Sequence, residues 1–184
     1  MPLDIAIGLL GAFFQAFLGH EELTVRLLVL SMLFALLPDV DFLVSALKKG
    51  SLFKVDHTHR ELLHHPVPYL AVGGLIVWIL APQYTLLFFV MSTAHFIHDS
   101  IGVGSGIPWL SPASRLHTKF FARRDEKSPK KLVMTWTKQE RDSFITKHHD
   151  PLWLKHTYTR LTKTAVGELV LLGVLLLAAL IIVK

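Results

Sequence analysis

The chain contains no cysteine, which excludes disulfides, thiolate metal ligands and a cysteine nucleophile. Any bound metal must be held by His, Asp or Glu, donors suited to zinc, manganese or iron. Charge is also scarce, at 18% of 184 residues against 52% hydrophobic, with a mean hydropathy of +0.47. No Walker loop, glycine-rich dinucleotide turn, G-x-S-x-G elbow, internal repeat or low-complexity tract occurs, so nothing points to nucleotide or serine-hydrolase chemistry. A basic leader is missing too. Asp4 stands where a signal peptide has its positive residues and no clear small-residue cleavage site follows, so the first apolar segment is expected to be retained.

The apolar residues come in blocks. Residues 165–183 are interrupted only by Gly167, Glu168 and Gly173, close to the ~20 residues that span a bilayer core. Residues 25–38 and 42–47 flank an acidic pair, 66–82 and 84–97 are separated by Gln83, and 5–18 form a shorter block containing Gln15. The pattern predicts an all-α, polytopic membrane bundle of about five helices; a soluble bundle with buried helices is the alternative. It divides into a four-helix membrane part carrying the candidate site (1–112), a basic amphipathic segment (113–164) and a C-terminal transmembrane helix (165–184).

Charge orients this arrangement. Residues 113–164 hold 13 Lys or Arg against 5 Asp or Glu, and Lys48, Lys49, Lys54 and Arg60 add a second basic stretch. By the positive-inside rule both are cytoplasmic. The third and fourth helices then turn near Pro82-Gln83 outside, Glu21-Glu22 lie outside, and the N-terminus is inside. One assignment satisfies both basic loops. It also brings Asp39 and Asp41, the histidines from His57 to His65, His95 to Asp99, and Asp4 to one face.

Ionisable groups near membrane depth call for a function. His95 and Asp99 are spaced i, i+4, which stacks them on one helix face where they can grip one ion or simply hydrogen-bond. His98 points aside from them. His59 and His64 would diverge by roughly 140° in an unbroken helix, but Pro66 breaks the pattern and lets both sit in a loop over a helix end. His57 and His65 are spare candidates. Asp39 and Asp41 flank Val40 in a turn after Pro38: one could bind metal while the other orients a histidine, or both could cap a helix. Arg60 could pair with a phosphate or the site carboxylates, or snorkel to headgroups.

Four motifs in order resemble those of the YdjM-like membrane-bound metal-dependent hydrolases. Pro38-Asp39-Val40-Asp41 is similar to that family's P-D-x-D, and His59-Arg60-Glu61-Leu62-Leu63-His64-His65 to its H-R-G-x-T-H-S. His95-Phe96-Ile97-His98-Asp99 resembles H-x-x-x-D, and Gly106 to Pro112 resembles G-x-x-W-x-x-P. Glu61 replaces a glycine, Leu63 and His65 replace Thr and Ser, and Asp4-Ile5-Ala6-Ile7-Gly8 stands where the family often has H-x-x-x-G. The resemblance implies a helical fold similar to zinc-dependent phospholipase C, holding one to three divalent ions, zinc first, with manganese or iron as alternatives. The ligands would be Asp39, Asp41, His59, His64, His95 and Asp99, with Asp4 as a substitute ligand. Asp41 would serve as general base and Arg60 would steady developing charge.

Residues 113–164 mix basic and aromatic side chains, which suits the anionic inner leaflet of the membrane better than nucleic acid. Thr137-Lys138-Gln139-Glu140 reads as a capping box opening a helix to about His149, stopped by Asp150-Pro151. The expectation for function is phosphoester hydrolysis of a lipid or lipid-like substrate at the cytoplasmic face of the inner membrane. The alternative is a non-enzymatic membrane protein that docks a regulatory protein or nucleic acid through the basic segment. A transport role is disfavoured because the candidate ligands gather at one face and do not line a path.

Overall fold

In the computed structural model, residues 2–50, 63–101, 106–122, 129–148 and 153–183 are described. Pro2 opens helix α1 (Pro2–Gly19), a position where its missing N–H is not needed. Helix α2 (Val25–Leu36) follows a short turn, and Thr24 caps it by accepting from the Leu27 N–H at 3.2 Å. Pro38 cannot continue that ladder. The chain passes through one 3-10 turn (Leu37–Asp39) into α3 (Val40–Lys49), so Asp41 stands in a helical first turn and not in the extended turn expected from sequence. Helices α4 (Pro66–Leu80) and α5 (Thr85–Ile101) are joined by a 3-10 turn at Pro82–Tyr84, where the sequence placed the hairpin. A strand pair, β1 (His117–Ala122) and β2 (Lys131–Trp136), precedes α6 (Lys138–His148), α7 (Trp153–Thr159) and α8 (Lys163–Ile182).

The protein is mostly helical, and three helical stretches are long and apolar enough to cross a membrane: Pro2–Gly19, Val25–Lys48 and Lys163–Ile182. Helix α4 is apolar but has 15 residues, and α5 has 17.

The chain divides into two units. The first comprises Met1–Pro38, Gly74–His95 and Leu152–Lys184. Within it α1 packs on α2 and on α8, around Ala6, Leu9, Ala12, Leu27, Ala35, Met91 and Ala179. Small residues allow helix backbones to approach closely where lipid removes the usual hydrophobic drive: a Cβ on Gly8 would stand 2.6 Å from the Met32 Cα. The opposite helix faces leave Phe14, Phe17, Leu177 and Leu180 exposed, the surface that acyl chains would cover. Glu168, the one acid in the C-terminal apolar run, accepts from the Tyr158 hydroxyl at 2.6 Å, which gives an ionisable group near a span a defined partner.

The second unit comprises Asp39–Gly73 and Phe96–Pro151. Here the expectation of an all-α chain is corrected. Strands β1 and β2 pair antiparallel, with His117 opposite Trp136 and Ala122 opposite Lys131, and Ile107 bridges to Thr118. The reason is visible in Lys131-Leu132-Val133-Met134-Thr135-Trp136. Met134 and Trp136 are buried on one face while Val133 and Thr135 on the other are exposed, the period-two pattern of a half-buried strand; Leu132, on the buried face, is exposed at the strand's start. From sequence this stretch falls within the basic amphipathic segment, to which no strand is assigned. The capping box is present as expected: the Thr137 N–H donates to Glu140 Oε2 at 2.8 Å and the Glu140 N–H to Thr137 Oγ1 at 3.2 Å.

Phe96, fully buried, holds this unit together at its centre. Its ring meets Tyr69 edge-on at 5.4 Å, and His64 and Trp109 at 6.3 Å each. Trp109 also donates from Nε1 to Ser100 Oγ at 2.8 Å, and Ser100 Oγ donates on to the Phe96 carbonyl at 2.8 Å. The G-x-x-W-x-x-P stretch is therefore a brace that ties the loop after α5 to the last turn of that helix.

Candidate metal centre

Two breaks in helical structure and one helix end carry the candidate ligands. Pro38 makes the first, presenting Asp39 in the 3-10 turn and Asp41 in the first turn of the next helix. Pro66 makes the second: α4 begins there, its first turn closed by the Tyr69 N–H on the His65 carbonyl at 3.0 Å, and His64 lies in the coil before it. The third is the last turns of α5, where His95 and Asp99 share one face as the i, i+4 spacing predicts.

His64 is the hub. Its side chain is fully buried, and its two ring nitrogens have different partners. Nδ1 lies 3.0 Å from Asp41 Oδ2, which also receives the Leu63 N–H at 3.5 Å. Nε2 lies 3.0 Å from Asp99 Oδ2 and 3.5 Å from Asp39 Oδ1. Asp41 therefore stands behind the ring and sets its orientation, while Asp39 and Asp99 stand before it. This is the carboxylate–histidine arrangement that aims an imidazole at a metal.

Three carboxylates against one imidazole leave a formal charge of −2 even when the ring carries a proton, a charge that a divalent cation matches. Burial disfavours the imidazolium, yet hydrogen bonds to Asp39, Asp41 and Asp99 outweigh it and push His64 up to about 10. The site thus demands positive charge at its centre.

His95, also buried, has its own carboxylate: Nδ1 is 3.2 Å from Asp4 Oδ1, and Asp4 is 1% exposed. Asp39, His64, His95 and Asp99 each offer one ligand atom, and these atoms all lie within 4.8 Å of one another. Ligands at 2.0–2.2 Å from a common zinc ion are separated by at most about 4.4 Å, so a small inward adjustment would bring the four to coordinating distance. Two nitrogens and two carboxylate oxygens suit zinc, with manganese and iron as the other first-row candidates. The donor set fits a metal.

Of the residues singled out from sequence, Asp39, His64, His95 and Asp99 fall in this group. Asp41 and Asp4 contact its two histidines. His57, His59 and Arg60 lie outside the described residues. His98 is half-buried beside the group without belonging to it, and His65 lines a separate cavity with His117.

This arrangement can be set beside known proteins. Residues 5–184 match the description of the YdjM inner membrane protein family, almost the whole chain. The chain belongs to that family. Comparison with curated proteins and with solved structures returned no match. Family membership and the three apolar helices identify an inner-membrane protein. Within this YdjM family member, the P-D-x-D, His64 and H-x-x-x-D elements are those that converge.

Sequence reasoning missed several residues of the second unit. Phe96 sits inside H-x-x-x-D and was passed over as a spacer, although it packs against His64. Arg141, 4% exposed, donates from Nη1 to His117 Nε2 at 2.8 Å. Burial and then the Arg141 charge push His117 down to about 4, so it is neutral and accepts that bond. The signal that could have revealed this corner is the capping box, since a helix starting at Thr137 places Lys138 and Arg141 at i, i+3 on one face.

Proposed function

We propose that this chain is a membrane-bound, metal-dependent hydrolase that cleaves a phosphoester in a lipid or lipid-like substrate at the cytoplasmic face of the inner membrane. The observation that carries the reading is the convergence of Asp39, His64, His95 and Asp99, which would hold the metal. A bound divalent cation supplies Lewis acidity, polarising a phosphoryl oxygen and acidifying water. The residues supply the rest. Asp41 holds His64 through Nδ1, so that Nε2 faces Asp39 and Asp99, and Asp4 does the equivalent for His95. With its Oδ2 committed to the ring, Asp41 acts as a positioning residue more readily than as the general base suggested by sequence. Burial of the group excludes bulk water and strengthens every electrostatic contact within it.

The test is turnover of a chromogenic phosphodiester, bis(4-nitrophenyl) phosphate, and of a fluorescent phospholipid by protein purified in detergent and loaded with zinc or manganese. Activity that vanishes in Asp99→Asn, while the variant elutes as the parent does, is the expected result. A fully metallated parent with no turnover of either substrate would overturn the hydrolase reading and leave a binding role.

The orientation is a separate proposal, resting on the 13-to-5 basic excess in residues 113–164. A reporter fused after Ser128 is expected to read as cytoplasmic and one after Gln83 as periplasmic. The reverse pattern for either fusion would put the site on the other face and remove inner-leaflet lipid as the substrate.

A further inference from the structure

A cavity of about 400 Å³ lies in the strand-bearing unit between the loop before β1 and the start of α6. We propose that this cavity, walled by Pro108, Ser111, Arg115, His117, Lys138 and Arg141, is a binding site for the anionic phosphate group of a ligand. Its floor is built. Arg141 is buried and held on both edges of its guanidinium, by His117 at Nη1 and by Asp142 Oδ1 at Nε and Nη2, at 2.9 and 2.8 Å. The His117 partner is neutral, so it holds Arg141 in place without adding a charge of its own.

Arg115 and Lys138, both exposed, add two long cationic side chains at the mouth. Among the described residues, three cations therefore face the cavity and no carboxylate lines it; Asp142 contacts Arg141 from outside the lining. Ser111 adds a hydroxyl. A cavity with this balance favours a small, highly charged anion able to take charge-assisted hydrogen bonds from several directions. His65 also lines it, and the preceding residue is His64, so one dipeptide contributes to both sites. The inference concerns binding and stands whether or not the metal centre hydrolyses anything.

The phosphate could be free or carried by a lipid headgroup, and one experiment separates these. The full chain in phosphatidylcholine nanodiscs is titrated calorimetrically with inorganic phosphate, dihexanoyl phosphatidic acid and dihexanoyl phosphatidylcholine, and metal content is measured on the same samples. Arg115→Ala and Lys138→Ala are each expected to weaken phosphatidic acid binding by roughly tenfold. Arg115→Lys and Lys138→Arg are expected to preserve it, with metal content at the parent level throughout. These positions are exposed, so the variants test charge without disturbing the buried Arg141. Tighter binding of phosphatidic acid than of phosphate identifies a headgroup site, and equal binding identifies phosphate itself; both support the proposal. Unchanged affinity in both alanine variants, or phosphatidylcholine binding as tightly as phosphatidic acid, would overturn it.

Discussion

Purified Asp99→Asn and His64→Ala proteins are expected to carry divalent metal near background, whereas His98→Ala, His117→Ala and His156→Ala retain the parent stoichiometry. Asp99→Asn is the sharper of the two, because it preserves shape and removes only the charge that faces His64 Nε2 at 3.0 Å. Elemental analysis of protein eluted at the parent position measures it. The carboxylates behind the rings give a graded version of the same result. Asp41 contacts His64 Nδ1 at 3.0 Å and Asp4 contacts His95 Nδ1 at 3.2 Å. Loss of an orienting group of this kind typically weakens metal affinity by about 10–100-fold without deleting a ligand. Asp41→Asn and Asp4→Asn are therefore expected to bind metal at high concentration and lose it on dialysis. Equal metal content in all seven variants would dissolve the site. Full retention in Asp4→Asn alone would reduce Asp4 to a charge at the start of α1.

The largest structural effect is expected at Gly106. Its φ is +75°, and a Cβ there would lie 2.3 Å from the Thr118 carbonyl oxygen. That oxygen accepts from the Ile107 N–H at 3.2 Å, and Thr118 N–H donates back to the Ile107 carbonyl at 2.8 Å. An alanine at Gly106 must therefore open this bridge as well as adopt a left-handed backbone. Gly50 supplies the control: its φ is +64°, yet a Cβ added there meets nothing within 4 Å. Gly50→Ala should cost only the left-handed conformation, about 1–2 kcal/mol. Gly106→Ala adds the loss of two hydrogen bonds, about 0.5–1.5 kcal/mol each, and so should be the less stable by thermal unfolding in detergent. Equal melting temperatures for the two variants would show that the loop relaxes around the new methyl. Because Pro108, Ser111 and Arg115 line the basic cavity, Gly106→Ala should also weaken phosphate binding, and Gly50→Ala should not.

Much of the fold follows from local features. The apolar runs mark the helices, Pro38 and Pro66 mark the two breaks, Pro82-Gln83 marks the hairpin, and Thr137 with Glu140 marks the start of α6. The i, i+4 spacing puts His95 and Asp99 on one face before any tertiary contact is known. Each of these is a property of a few consecutive residues, and backbone geometry settles it within one or two turns.

Tertiary structure decided the rest. Asp39 and Asp41 are equivalent in sequence, two carboxylates flanking a valine; only the position of His64, 23 residues beyond Asp41, puts one before the ring and the other behind it. Asp4 and His95 are separated by most of the membrane part of the chain, and their pairing at 3.2 Å depends on how α1 and α5 pack. The strand pair needed a partner for Met134 and Trp136 to alternate against, and basic residues around it hid the period of two. Arg141 and His117 are 24 positions apart, and nothing in the local sequence pairs them. What the sequence determined by itself was where helices start, stop and carry ligand-type side chains, because those choices are local. Which carboxylate stands before the His64 ring, and which cation is buried, came from long-range packing, because a buried charge is stable only beside a partner that the fold delivers.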